Sequence, residues 1–561
     1  MQTNEKINKN KPKVLVIGLD GGTWKVLKPL IDEGIMPNLK KLVDTGVSGD
    51  LLSTLPAHSG PAWTSFMTGK NPGKHGIFGF IKLGFSGKLK LTVNSSRDIK
   101  SDTIFHILSA VNKTVVSINI PVTYPPFAIN GAMVSDCQLT PNKDCSFTYP
   151  PDLFQKFGFD KKDYILSVKR LGCYAPGMEI EFLKDMEKST ESRAKFSLSL
   201  MEKITWDLFT VVFTETDWLQ HKMLHYIDRS HPLYNDSLKS AVNGYFSKLD
   251  GFVGDFIEKA GKDTHLFIIS DHGFGQFRSH IYINTLLKKL HLLKLKKTGI
   301  KKLLIGLQDK LRGMLQQKSP LYRNFKNYIK NISRLNKRNE NPQYLGKDER
   351  VHSQMNFISL VDWKKTKAYF VGDTGSTIFI NQSKNNADDV YNKVIDALKG
   401  ISDPKTQTLL NFKIYRKQDI YHGPYFDIAP DLVLDPNSGY KFSTDPDSGV
   451  LIDEPKQISN FHYREGILMM QGPNIKKGIV INNASIMDIT PTILCLLGMT
   501  IPNDMDGKVL KKGIEESFLN KNPIIFKESA AKSEDNPINE IYSQEEMVKI
   551  KEHLADLGYI D

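Results

Sequence analysis

Three apolar runs in this chain each end on an aspartate, and that recurrence limits the fold more than any other feature. They are KVLVIGLDGG (Lys13–Gly22), DLFTVVFTETD (Asp207–Asp217) and HLFIISDHG (His265–Gly273). Short runs of Val, Ile, Leu and Phe without polar alternation read as strands buried on both faces, the habit of a parallel sheet. TVVSINIP, residues 114–121, is a fourth. Helical stretches such as PNLKKLVDTGV, SRAKFSLSLMEKI and YFSKLDGFVGDFIEKA separate them. Strands alternating with helices predict an α/β fold, a mostly parallel sheet sandwiched by helices. In such sheets ligands bind beyond the carboxyl ends of the strands, which is where Asp20, Asp217 and Asp271 fall.

The chain has the means to build this. Its 561 residues, 40% apolar and 24% charged, suit one large domain with an insertion or two domains. Four cysteines with no CxxC spacing form neither a disulfide framework nor a thiolate zinc site, which fits a reducing compartment. The start, MQTNEKINKNKPK, lacks the apolar centre of a secretory signal, and no apolar run nears the roughly 18 residues that span a bilayer. The expectation is a cytoplasmic protein.

Four fragments carry candidate chemistry. Asp20 sits in GLDGG, which taken alone is a strand-ending turn. Ser59 begins HSGPAWTSFMTGKNPGKHGI, where its hydroxyl can cap a helix or stand at a helix start that favours anions. Asp217 and His221 in TDWLQHKMLHY are spaced to project from one helical turn toward one ion. Asp271 and His272 adjoin in SDHGFG, and His462 lies far downstream in NFHYREGILMMQGP. Each fragment alone has a bland structural explanation. Together they supply three aspartates, three histidines and a serine, a donor set that suits Zn²⁺, Mn²⁺ or Fe. Six such ligands exceed what one catalytic zinc takes and fit two ions. Two metals clamp the entering and leaving oxygens of an in-line phosphoryl displacement, and one of them activates a serine oxygen as nucleophile.

The ordered set GLDGG, HSGPAWTSFMTGKNPGKHGI, TDWLQH, SDHG and FHYREGIL, with DITPTILCLLG…IPNDMDGKVL near the end, resembles the alkaline phosphatase superfamily. It is most similar there to the type I phosphodiesterase/nucleotide pyrophosphatase family. The resemblance spans about residues 13–280 and 350–510. It implies an alkaline-phosphatase-like fold and a metal-dependent hydrolase cleaving a phosphodiester or related phosphoryl ester. It further implies two divalent ions, zinc with manganese as the alternative. Asp20, Asp271, His272 and Ser59 would hold one, with Ser59 the nucleophile that becomes a phosphoserine. Asp217, His221 and His462 would hold the other, which activates the hydrolytic water. The chain departs from the family in three ways. Serine stands where the nucleophile is usually threonine. Phe80 stands where an asparagine usually holds a phosphate oxygen. Neither the phosphate-orienting arginine of alkaline phosphatases proper nor a sulfatase-type cysteine is found. These departures leave open a phosphomonoesterase, a phosphonate hydrolase or a phosphoryl transferase on the same site. A basic surface-binding protein without turnover is the alternative outside enzymes.

The net charge of +13 is local. Residues 288–338 hold sixteen Lys/Arg and one acid, a net +15 that leaves −2 for the rest. Ile300, Leu303, Leu304, Leu307, Leu311 and Leu315 share one helix face there. Three readings compete: a helix lying on an anionic membrane near a lipid head group, a cap offering cations to a phosphorylated small molecule, or a helical cover on the core. Few aromatics and no recognised motif argue against nucleic acid. The expected organisation is a first part of the catalytic core over 1–284, a basic helical insertion or cap over 285–350, a second part of the core over 351–524, and a helical tail over 525–561.

Overall fold

The strand Lys13–Leu19 (β1) lies inside a nine-stranded sheet because its side chains have no solvent-facing alternative: Val14, Leu15, Val16, Ile17 and Leu19 are all 0–1% exposed. This computed structural model describes residues 11–85, 89–168, 174–296, 357–371, 376–381, 387–435, 439–446, 450–453, 460–529 and 541–556. The other strands of the sheet, in chain order, are Val47–Leu52 (β2), Val115–Ile120 (β3), Gly131–Ser135 (β4), Thr148–Tyr149 (β5), Leu208–Phe213 (β6), Thr264–Ile269 (β7), Glu465–Gln471 (β8) and Ile479–Ser485 (β9). Their spatial order is β9-β2-β8-β7-β1-β6-β3-β4-β5.

The sheet is mostly parallel. β1 runs parallel to β6 and β7, β3 to β6 and β4, and β2 to β9. Only β8, between β2 and β7, and the short edge strand β5 run against their neighbours. The fold class expected from the apolar runs is the one observed. Each of β1, β6 and β7 therefore delivers its carboxyl end to the same edge.

Helices cover the sheet as their spacing predicts. Ser59–Thr68 (α1) is buried throughout, Glu215–Ile227 (α3) is buried on all sides over its first six residues, and Glu179–Lys203 (α2) and Asp236–Ala260 (α4) bury one face each. In α4 that face is Val242, Tyr245, Phe246, Leu249, Val253 and Phe256, the three-and-four spacing of an amphipathic helix. The tail helix Gln544–Asp556 packs Met547, Ile550 and Leu554 on the same core.

A second core lies apart from the sheet. Ile281, Leu287, Ile378, Val394, Leu432 and Phe442 are among its buried members, around a four-stranded sheet of Ala368–Phe370, Thr377–Ile380, Leu432–Asp435 and Lys413–Arg416. The expected organisation places 351–524 in one core, whereas residues 357–453 largely build this smaller lobe. The strand Gly273–Tyr282 joins the two lobes: it pairs with Asn460–Tyr463 at its start and with Gly439–Ser443 farther on. At the beginning of the basic segment, Leu292 and Leu293 are buried in the second core. Residues 297–356, with most of that segment's lysines and its leucine face, lie outside the described residues. No described helix is long and apolar enough to cross a membrane.

Candidate metal centre

Asp20 directly follows β1, and Gly21 then turns the chain at φ +66°, where a Cβ would stand 3.2 Å from Asp217 Oδ1 and 3.1 Å from the Phe274 ring. Only glycine allows that turn with another acid so close. The Gly21 N–H donates to Asp271 Oδ1 (3.1 Å), which ties the end of β1 to the end of β7. Asp217 does not end its strand. It sits four residues past β6, in the first turn of α3, with His221 one turn on along the same helix and its Nε2 3.6 Å from Asp217 Oδ2. The helical spacing read from TDWLQH is thus realised, while the strand-end reading holds for Asp20 and Asp271.

His272 is the pivot. Its Nδ1 lies 3.1 Å from the Gly273 carbonyl, which only accepts, so Nδ1 carries the proton and Nε2 presents a lone pair. That Nε2 lies 3.3 Å from Asp271 Oδ2, 3.2 Å from Ser59 Oγ, 3.8 Å from Asp20 Oδ1 and 4.0 Å from Asp217 Oδ1. The His462 ring stacks on it at 3.8 Å, and His462 Nε2 lies 3.3 Å from Asp217 Oδ1 and 3.2 Å from His221 Nε2. The seven residues expected at the site therefore meet in one place. Ligand atoms of Asp20, Asp271 and His272 lie within 4.8 Å of one another, and so do those of Asp217, His272 and His462. The second group differs from the expected one in drawing on His272, with His221 standing beside it.

The electrostatics explain what these groups fit. Asp20, Asp217, Asp271 and His272 are 0% exposed and His462 is 3%. Burial, then the Asp271 and Asp217 carboxylates, push Asp20 well above the usual carboxylate range. Burial lowers His272, His221 and His462, so all three rings are neutral, with lone pairs to offer. The charge of Lys441 adds to the effect at His221, and the neighbouring His272, His221 and His58 add to it at His462. Three converging carboxylates and inward-facing imidazole lone pairs repel one another until a cation sits among them, and each buried ion costs several kcal/mol without one. The donor set fits divalent metal.

Ser59 opens α1. The Gly60 N–H donates to Nδ1 of the preceding His58, an end-capping contact that holds the first turn. Ser59 Oγ donates to Asp20 Oδ1 at 3.4 Å. Four residues on, Trp63 Nε1 donates to Asp20 Oδ2 (3.3 Å), and its ring covers Gly18, where a Cβ would stand 2.5 Å from Trp63 Cη2. Trp63 was missed in the sequence although it lies one helical turn from Ser59. Asn460, also missed, donates to the Gln220 and His221 carbonyls and braces α3 from within the core. Phe80, at the position of the family's asparagine, is fully buried edge-on to His58 at 4.9 Å.

A histidine beyond the site gives a pH test. Burial presses His75 from 6.5 to about 3. The Ile77 N–H donates to its Nδ1, leaving the proton on Nε2 for Ser65 Oγ at 2.9 Å. The folded ring stays neutral while the unfolded one takes a proton below 6.5, so its stabilisation is full above that pH and is lost as pH falls toward 3. Wild type minus His75→Gln isolates this ring from Asp136, which burial raises to about 6 and which works in the opposite direction. In urea unfolding, that difference is expected to shrink by about 1.2 kcal/mol between pH 6 and 5. A difference independent of pH would show that the folded ring titrates normally.

A mostly parallel sheet with buried carboxylates and imidazoles converging at its carboxyl edge defines an α/β protein with a candidate divalent-metal site. The chain belongs to the type I phosphodiesterase/nucleotide pyrophosphatase family, whose model matches residues 14–357. No curated protein matches it in sequence. Among solved structures, phosphonoacetate hydrolase from Sinorhizobium meliloti 1021 in complex with phosphonoformate is similar in fold, with a TM-score of 0.52 at 14% identity, covering 87% of this chain and 96% of the other. Human ectonucleotide pyrophosphatase/phosphodiesterase 5 has a TM-score of 0.48 at 14% identity, covering 89% and 98%.

Proposed function

We propose that this enzyme cleaves a phosphodiester or a related phosphoryl ester through a covalent phosphoserine on Ser59. The observation that carries the reading is the position of Ser59 Oγ, at the start of α1 and within 3.4 Å of both Asp20 Oδ1 and the lone pair of His272 Nε2. Two divalent cations, zinc with manganese as the alternative, would neutralise the carboxylates and act as Lewis acids on the phosphoryl oxygens. Asp20, Asp271, His272 and Ser59 would hold one, and Asp217, His221 and His462 the other. Within the chain itself, Asp20 Oδ1 receives the hydroxyl proton's hydrogen bond and so aims Ser59 Oγ. Trp63 Nε1 and the Gly21 N–H hold the Asp20 and Asp271 carboxylates in place. Ser59 Oγ passes its proton to Asp20 Oδ1 and attacks phosphorus. The ester P–O bond breaks with its electron pair leaving on the alcohol oxygen, which takes a proton from solvent. Water then attacks the phosphoserine, the Oγ–P bond breaks, and Ser59 regains a proton as inorganic or monoester phosphate departs. The substrate is a phosphorylated small molecule or a lipid head group.

The test is hydrolysis of bis-p-nitrophenyl phosphate against p-nitrophenyl phosphate, with chelated protein and with Zn²⁺ or Mn²⁺ restored. Diester turnover is expected to vanish on chelation and return with metal. A faster monoester rate would overturn the diester assignment, and turnover indifferent to chelation would overturn the metal one.

A further inference from the structure

The helix that carries Asp217 and His221 is tied down from two sides. Its first residues are joined to the end of β1: Thr216 Oγ1 donates to the Asp20 carbonyl at 2.6 Å, and Gln220 Nε2 to the Gly21 carbonyl at 2.8 Å. The turn that carries His221 is held by Asn460. Its Nδ2 donates to the Gln220 carbonyl at 2.9 Å and to the His221 carbonyl at 3.2 Å. The Asn460 carbonyl in turn accepts a hydrogen bond from the His221 ring, whose Nε2 faces Asp217 and His462. Asn460 and His462 are two positions apart on the strand Asn460–Tyr463, so their side chains leave the same face. That strand pairs with the start of Gly273–Tyr282, directly after Asp271 and His272, with Gln276 opposite Asn460 and Phe274 opposite His462. One amide thus joins α3 to the strand that brings His462 against His272.

The orientation of the amide is fixed, because both carbonyls only accept and a flipped Asn460 would set oxygen against oxygen. Asn460 is 1% exposed, and no donor among the described residues reaches its Oδ1. A buried acceptor without a donor costs stability, and leucine, of similar size, would fill the space without that cost. What the asparagine supplies is the pair of bonds to α3. We infer that Asn460 is a positioning residue for the cation held by Asp217, His221 and His462. By fastening the His221 turn to the His462 strand, it sets the spread of those ligands and hence the affinity for that ion alone. Asp20 and Asp271 have separate ties, Trp63 Nε1 on the first and the Gly21 N–H on the second. The inference rests on the two-cation reading.

Zinc affinities of metal-free protein, measured by competition with a chromogenic chelator, test this role. Wild type is expected to bind two ions. Asn460→Leu is expected to weaken one of them about 10–100-fold, the usual effect of losing a partner behind a metal ligand, and to leave the other within about threefold. His221→Ala should weaken the same single ion. Adding Asn460→Leu to it should cost less than about threefold more, because the amide acts through His221. Equal weakening of both ions, no weakening, or fully additive losses in the double variant would overturn the inference. The melting temperature of metal-free protein reports the fold, and if Asn460→Leu does not fold, Asn460→Ala is held to the same outcomes. A wild type that binds a single ion defeats the two-cation reading instead, and that ion then decides for Asn460. Binding at least about tenfold weaker in both Asn460→Leu and His221→Ala supports it, and unchanged binding in Asn460→Leu overturns it. A wild type that takes up no zinc overturns both readings.

Discussion

Ser59→Ala is expected to lower kcat on a phosphodiester by about 10³-fold or more, because it removes the only atom that makes a covalent step available. The change should leave the fold alone. Ser59 is fully buried at the first position of α1, and the capping contact that holds this turn comes from His58. Alanine keeps the backbone and deletes one oxygen, so the melting temperature should stay close to that of wild type. The carboxylates and imidazoles remain, and metal content should fall little. Acid quenching during turnover gives a second readout: phosphate stays attached to wild-type protein and is absent from the variant. Turnover of Ser59→Ala within about tenfold of wild type would mean that water attacks phosphorus directly, with Ser59 merely lining the site.

How much of this was legible in the sequence depends on how local each feature is. Asp20 and Asp271 could be read because a Val/Ile-rich strand and the turn after it are set by neighbouring residues, and the parallel sheet does the rest by aligning strand ends. Asp217 and His221 could be read for a different reason, the helical period, and the structure shows that Asp217 owes its place to α3 and not to the end of β6. Trp63, one turn past Ser59, carried a signal that went unused. Lys441 carried none. Its place opposite His280 comes from a strand pairing between residues more than a hundred and fifty positions apart, and no periodicity in YKFS discloses it. The smaller lobe was hidden for the same reason: KAYFVGDTGSTIFIN reads correctly as strand text, but local pattern does not say which sheet a strand joins.

Arg193→Met is expected to cost about 3–5 kcal/mol of unfolding free energy, the usual penalty for removing one partner of a buried ion pair. Arg193 on α2 and Glu215 on α3 are in direct contact with both side chains 0% exposed, and Ser189 Oγ also donates to Glu215. Burial opposes the guanidinium charge, yet the Glu215 carboxylate holds Arg193 above its ordinary range. With methionine at 193, that carboxylate keeps Ser189 but loses its buried cationic partner. The consequence should reach the site, because Glu215 opens the helical turn that carries Asp217, and Thr216 between them donates to the Asp20 carbonyl at 2.6 Å. Metal retention under dilute chelator should therefore fall with stability. The double variant Arg193→Met/Glu215→Met removes both charges and is expected to recover most of the loss, since what costs energy is the unpaired charge and not the missing bond. Urea unfolding of the wild type, both single variants and the double completes the cycle. A single-variant cost below about 1 kcal/mol would mean that water reaches Glu215 once the arginine is gone, and that the pair is not what fixes the first turn of α3.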